Sequence, residues 1–558
     1  MKMTDLRVRL DDWQKNAGCV GFINIVGKEN VQLTENGFRF NSTVLEDFAT
    51  KYFDYLIETY KPTLSWYKII AYKDTLEKHE RENFENFYQK DLERLNTYII
   101  DVCKRYLTSA SYKASYPLIK HDFDMLEAGK QSKAIGRLKK RETFEEKKTE
   151  ILEEVREAYE RIKQIIAYCE SPEGRKYLAA KNVIYTIVKH AWDSVSFLNP
   201  QTKEKDVYKD FEQYFIAPVL EYLESDKSRY KLTCCSCENP VKNASETLSF
   251  LNKTGFDVNR KNSHAWDFVN DLIICPVCKL IYACIPAGFT YVYSQGMFVN
   301  ANSSIEELLR TNNLIKMEVL TLNRASVREV NTYSALVHAL QKQDRDQFRL
   351  QTEDVQVVRY QNETYRFNIL SKNTLRILNQ SEAELSQLLH TWVKENGETY
   401  SLYQKVVEKL FNNENMLTLI HKLLVYKATK TENPGYQIRH IDALIKINQH
   451  FLGGILTMNE VTQDEIKKIK GAAWYFKKGY DNPNKVNGVS YKLLNALKIG
   501  NRDEFMNVIL NCYAYLNQQV PQFFNRVFEN EETFKTIGYS FVAGIIGPVE
   551  MNEYGGKA

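Results

Sequence analysis

The sequence predicts an α+β, predominantly helical, multidomain fold: a mixed N-terminal domain, an inserted cysteine module and a C-terminal helical bundle. Three observations predict it. At 558 residues the chain exceeds the roughly 250–300 residues at which a single hydrophobic core stops growing. Its longest regular patterns place apolar residues three and four apart, the helical period. That pattern is interrupted between about 226 and 300, where cysteines, prolines and a β-rich run appear together. The resulting division is 1–225 mainly helical, 226–300 the cysteine module, 301–412 a mixed connecting region and 413–558 the helical bundle.

In order along the chain, an amphipathic opening leads into a short apolar strand at Cys19–Gly27, "CVGFINIVG". From Glu142 to Cys169, Phe144, Ile151, Val155, Tyr159, Ile162 and Ile166 fall at helical spacing with no Gly or Pro between, which predicts one long helix. The basic stretch before it carries Gly129 and Gly136 and reads as a loop joining helices. After the cysteines, "GFTYVYSQGMFVNAN" is β-rich, and Val355–Leu370 reads as a strand pair around Asn362 that closes a small sheet. From about Glu382 onward the chain is helical. One helix starts in a capping box, Thr462 with Glu465, and stops at Lys477, Lys478 and Gly479. The next pair breaks at Gly500-Asn501 and resumes with Phe505, Ile509, Cys512 and Leu516 on one face, as a bundle requires.

With 44% hydrophobic and 26% charged residues the chain can bury real cores. Its opening, "MKMTDLRVRLDDW", is charged throughout, unlike a secretory leader, so a cytoplasmic, reducing location is expected. There, ten cysteines are thiols or metal ligands rather than a disulfide framework. Residues 271–293 are apolar enough for a membrane span, but two prolines, a lysine and a CxxC interrupt them, so a buried core is expected and no membrane partner.

Two CxxC pairs, Cys234/Cys237 and Cys275/Cys278, are the chief chemical signal. Zinc takes soft thiolates in a tetrahedron, and one CxxC turn lets two sulfurs reach the same ion at about 2.3 Å. Two turns complete the shell and leave no open position, which points to structural zinc. The pairs lie farther apart than the roughly 15–20 residues of a usual ribbon, so the module holds an insertion with His264 and Trp266. Cys235 could replace Cys234, and Cys284 is a further spare. Four unliganded buried thiols are the competing reading.

Catalytic motifs are missing: the chain has no GxxxxGK[ST], GxGxxG, HExxH or GxSxG, and its nine histidines are scattered. The balance is against an enzyme. Charge, however, is segregated. Lys130, Lys133, Arg137, Lys139, Lys140 and Arg141 lie together without one acid, and Met416–Arg502 holds 14 Lys and Arg against 6 Asp and Glu, a net +8. Beyond Thr462, Ile466, Ile469, Ala473 and Phe476 make an apolar stripe, beside a second one of Lys467, Lys470, Trp474 and Lys478. Lysines neutralise phosphates and an aromatic face stacks an unpaired base, a combination suited to sequence-tolerant single-strand binding. The alternative is that Trp474 widens the core stripe and the lysines are only solvated.

"DDWQKNAGCVGF" (with Trp13, Asn16, Ala17, Gly18 and Gly21), "CCSC", "CPVC" and "YKLLNALKIGNRDEFMNVIL" together resemble the CXXC-CXXC family of large subunits from type I-B CRISPR effector (Cascade) complexes. The resemblance runs the length of the chain. It implies a non-catalytic subunit of a crRNA-guided complex that recognises a protospacer-adjacent motif in target double-stranded DNA. It further implies a helical C-terminal part lining the displaced single strand, contacts with the other subunits, and recruitment of a separate helicase-nuclease. The four cysteines carry over residue by residue; residues that read the motif do not. In such systems the C-terminal part can also be made separately, with Met416 and Met458 as candidate internal starts. With the resemblance, nucleic-acid contact is the favoured reading of both basic segments. A stand-alone metal-dependent nucleic-acid enzyme and a zinc-stabilised interaction scaffold are the readings it competes with.

Overall fold

A computed structural model of the protein describes residues 4–136, 138, 142–252, 265–266, 269–270, 273–292, 295–301, 304–325, 334, 337–338, 355–361, 363–429, 434–455 and 461–547. It is a predominantly helical α+β structure with several small sheets, and it divides into two compact units. The first comprises Met1–Lys316 with Val358–Phe367, the second Met317–Val357 with Asn368–Ala558. The cysteine module is part of the first.

In the first unit, strands β1 (Asp5–Arg9), β2 (Gln32–Thr34) and β3 (Gly37–Asn41) form an antiparallel sheet ordered β1-β3-β2. Alternation explains its two faces: Val8, Phe38 and Phe40 are buried while Arg7, Arg9 and Arg39 point to solvent. Phe38 and Phe40 pack on Phe22 at ring separations of 5.5 and 4.6 Å. Phe22 belongs to helix α1 (Trp13–Val26), so the strand expected at Cys19–Gly27 is instead the second half of this helix. The reason is its surroundings. α1 is buried on every side from Gln14 to Ile23, and a helix with no polar face leaves the same continuous apolar run as a buried strand.

Helix α2 (Phe48–Tyr60) buries Phe48, Tyr52, Phe53, Leu56, Ile57 and Tyr60. The long helix runs Lys148–Glu170 with Ile151, Val155, Tyr159, Ile162 and Ile166 inward as their spacing predicts; turns at residues 144–147 delay its start. Strands β4 (Leu232–Thr233) and β5 (Pro240–Val241) form a hairpin, and β6 (Ala265–Trp266) pairs with β7 (Val269–Asn270). The apolar stretch after Cys275 becomes two short buried helices, Pro276–Ala283 and Ile285–Gly288. Among the described residues no helix is long and apolar enough to cross a membrane. Strands β8 (Thr290–Val292), β9 (Gln295–Ala301), β10 (Val355–Gln361) and β11 (Thr364–Leu370) form one sheet in the order β11-β10-β9-β8, so the strand pair around position 362 does close a small sheet.

In the second unit, β12 (Trp392–Glu395) and β13 (Glu398–Ser401) turn through Asn396-Gly397, both at positive φ, as a two-residue hairpin demands. The rest is a helical bundle around Glu531–Ile546, whose residues are buried almost throughout. Around it pack Leu417–Ala428, Ile438–Ile455, Gln463–Lys478 and Pro483–Ile499. The capping box forms as expected, Thr462 accepting from Glu465 N–H while the Glu465 carboxylate accepts from Thr462 N–H. Asn501 caps Arg502–Tyr515, which buries Phe505, Ile509 and Cys512.

Candidate metal centre

The first cysteine turn is built by the β4–β5 hairpin. Cys234 N–H donates to Asn239 O at 2.9 Å and Glu238 N–H to Cys234 O at 2.9 Å, closing the loop that carries Cys237. The second is the entry of helix Pro276–Ala283. Cys275 is its N-cap, its sulfur accepting from Cys278 N–H at 3.4 Å, with proline at the first helical position. Backbone bonds from Cys235 N–H to Ile273 O (2.8 Å) and from Ile274 N–H to Glu246 O (3.0 Å) stitch the two segments together.

One ligand atom from each of Cys234, Cys237, Cys275 and Cys278 falls within 4.8 Å of every other. Cys237 and Cys275 sulfurs are 3.6 Å apart, far beyond a disulfide bond of about 2.05 Å. It is close to the edge of about 3.8 Å that a tetrahedron with Zn–S near 2.3 Å requires. Three of the four are buried and Cys237 is half-buried. Hydrogen bonding from Cys237, Cys275 and Cys278 holds the Cys234 thiol far below its ordinary range, whereas Cys234 and Cys237 push Cys275 and Cys278 well above theirs. Sulfurs so crowded must share protons unless a cation replaces them. The donor set is compatible with zinc. Cys235 is exposed, and Cys284 is buried and donates to Leu280 O, so both stand outside the cluster. His264 lies outside the described residues.

The cluster is braced from α1. Lys15 is 2% exposed, and its ammonium donates to Ser236 O, inside the first CxxC turn, at 2.7 Å. Asp12 caps α1 by accepting from Gln14 and Lys15 N–H, and its other oxygen accepts from Tyr282 OH at 2.7 Å. The backbones are nearly in contact. A Cβ on Gly18 would lie 2.3 Å from Ile281 O, one on Gly21 1.9 Å from Cys284 O, and one on Gly288 1.9 Å from Ala17 O. Next to Cys278, Lys279 is buried with its ammonium 2.6 Å from Glu246 and 3.7 Å from the Tyr214 ring centre; burial lowers its pKa. Asn16 donates to Asn300, and Trp13 packs edge-on against Tyr365 at 4.9 Å. The "DDWQKNAGCVGF" and "CPVC" stretches are thus two sides of one seam.

The basic segments are placed as follows. Lys130 lies in the last turn of the helix Met125–Gln131, 3.6 Å from Glu127, and Lys133 is exposed; Arg137, Lys139, Lys140 and Arg141 lie outside the described residues. On Gln463–Lys478, the apolar stripe of Ile466, Ile469, Ala473 and Phe476 is buried as the spacing predicts. Lys467 is exposed, 3.8 Å from Asp464, and the Lys478 ammonium lies 3.8 Å from the centre of the half-buried Trp474 ring. Lys470 turns inward to an ion pair with Asp442 at 2.6 Å and is only 12% exposed. Of the predicted stripe Lys467 and Lys478 therefore face solvent, and Lys468 and Tyr475 beside them are exposed as well, Tyr475 at 65%. Lys468 and Tyr475 lie outside the stripe read from the sequence, as does Tyr515, which is exposed, stacks on Tyr480 at 5.6 Å and meets Lys485. Adjacent lysines and aromatics were the available signal; Asp442, on another helix, decides which of them faces water.

A family model described as CRISPR-associated protein (Cas_CXXC_CXXC) matches residues 227–290, the segment holding both cysteine turns and the helices that follow them. No curated protein and no solved structure matches the chain. The family match supports a role in CRISPR defence.

Proposed function

We propose that this chain is the non-catalytic large subunit of a type I-B crRNA-guided DNA surveillance complex, with structural zinc held by Cys234, Cys237, Cys275 and Cys278. The observation that carries the reading is the coincidence of the CRISPR-associated match with the convergence of four sulfurs on one point. A four-thiolate shell has no open coordination position, so zinc here would supply shape rather than bond-breaking chemistry.

The division of labour is physically economical. Guide pairing reads sequence and nearly balances the DNA pairing it replaces, so the protein needs only a short motif in the duplex and a place for the displaced strand. The reading is supported in the bundle, where lysines beside the exposed Tyr475 and half-buried Trp474 on Gln463–Lys478 suit a single strand whose phosphates are neutralised and whose bases stack. Partners on this reading are crRNA, target duplex, displaced strand, the other effector subunits and a recruited helicase-nuclease that cuts.

Coexpression with the neighbouring subunits and a guide, followed by binding to targets with and without the correct adjacent motif, tests this. Motif-dependent binding is expected to vanish when this chain is omitted. Unchanged binding without it would sink the proposal, as would turnover of labelled DNA or RNA by the purified protein with Mg²⁺ or Mn²⁺.

A further inference from the structure

We infer that the outer face of the β1-β3-β2 sheet is a second nucleic-acid surface, a phosphodiester-binding row anchored by Arg7 and Arg39. The register places Arg7 directly opposite Arg39, and Arg39 opposite Gln32. All three are exposed, so one row across three strands presents two donor-only guanidinium groups and one amide able to turn its NH2 to incoming anions, over a span of roughly 10 Å. Arg9 follows on the same face, opposite Gly37, which leaves the floor beside Arg39 low.

Like charges facing each other across an antiparallel pair are destabilising. Slippage cannot relieve this pair, because a one-residue shift would carry Val8, Phe38 and Phe40 out of the core formed with Phe22. Nor do carboxylates relieve it. Among the described residues Arg7, Arg9 and Arg39 form no ion pair, Asp5 lies in the end row accepting from Asn41, and Glu35 is in the turn. An apposition that the fold enforces and no side chain neutralises is what an anionic partner would satisfy. Guanidinium groups grip phosphate oxygens with two parallel hydrogen bonds, which lysine cannot do. The face carries no aromatic ring, so it suits a sugar-phosphate backbone rather than bases.

The inference rests on the proposed nucleic-acid role but uses none of the residues that support it. The test takes the full-length protein and two fluorescent probes, a single-stranded RNA and a DNA duplex, titrated over a range of salt. Arg7→Glu converts the like-charged pair into an opposite-charged one, so the variant is expected to melt no lower than wild type while its affinity for one or both probes falls about tenfold and the salt slope falls by about one. Loss with RNA alone assigns the row to guide, loss with duplex alone to target, and loss with both to either backbone. A folded Arg7→Glu protein, checked alongside Arg39→Gln, that binds both probes as wild type does would overturn it. Lys468→Glu with Lys478→Glu serves as the parallel arm. If that pair leaves binding intact while Arg7→Glu weakens it, the bundle reading fails and this one stands.

Discussion

The seam around the cysteines and the solvent face of Gln463–Lys478 both carry residues for which a role is proposed, but they are held in opposite ways. In the seam each side chain answers to several neighbours: Asp12 caps a helix and accepts from Tyr282, Lys15 is buried onto Ser236 O, and Gly21 admits Cys284 O where no Cβ would fit. On the helix face Lys467, Lys468, Tyr475 and Lys478 answer mostly to water. Identity is therefore tightly constrained in the first region, whereas in the second the proposed contact asks only for charge and a flat ring. Substitutions should separate the two, the first through folding and the second through binding.

The largest effect is expected from Cys275→Ser or Cys278→Ser. Structural zinc contributes on the order of 10–16 kcal/mol in small metal-folded domains, comparable with the whole stability of a domain. Each variant is expected to lose metal together with soluble yield or assembly, whereas Cys235→Ser keeps one metal per chain; elemental analysis of purified protein checks both. A double cysteine variant free of metal yet fully soluble and assembling would remove the distinction drawn above. Next comes Gly21→Ala. Its methyl would meet Cys284 O, so a loss of about 1–3 kcal/mol or more is expected from overpacking, read as a lower melting temperature. Lys15→Met strands the Ser236 carbonyl at about 1–3 kcal/mol, and should speed zinc removal by a chelator.

What was legible follows the same line. Four cysteines in two turns announce themselves, because thiolate chemistry needs those residues at that spacing. The strand pair of β10 and β11 and the capping box at Thr462 were readable for a related reason, since local periodicity and a local hydrogen bond specify them. α1 was not, because burial on all sides erases periodicity. Lys470 was not either, since its fate depends on Asp442 from another helix. The Arg7–Arg39 row escaped because register across strands is a long-range fact.

Smaller effects belong to the exposed face. Tyr475→Ala is expected to weaken single-strand binding by about 1–3 kcal/mol if a base stacks there, with stability changed by no more than about 0.5 kcal/mol; anisotropy and thermal melting together decide it. Smallest is a pH effect on the same helix. Burial would raise the Glu465 carboxyl, but Thr462 N–H and the Arg526 guanidinium outweigh it and hold its pKa below the usual value. A depressed folded pKa means this stabilisation is present above the ordinary carboxylate range and is lost as pH falls through the folded value. Acid titration of wild type against Glu465→Gln is expected to show it in the former alone.

The seam also sets a timetable for biosynthesis. Asn24 on α1 donates to Ala287 O, a partner 263 residues downstream, and α1 is buried along nearly its whole length. At roughly 5–20 residues per second, the ribosome delivers that partner on the order of tens of seconds after α1 emerges. Throughout that interval the face of α1 that meets Ile281, Cys284 and Gly288 stays uncovered, although its Phe22 side can already pack on Phe38 and Phe40. Nascent chains of this protein are accordingly expected to depend on holding chaperones until residue 290 has cleared the exit tunnel.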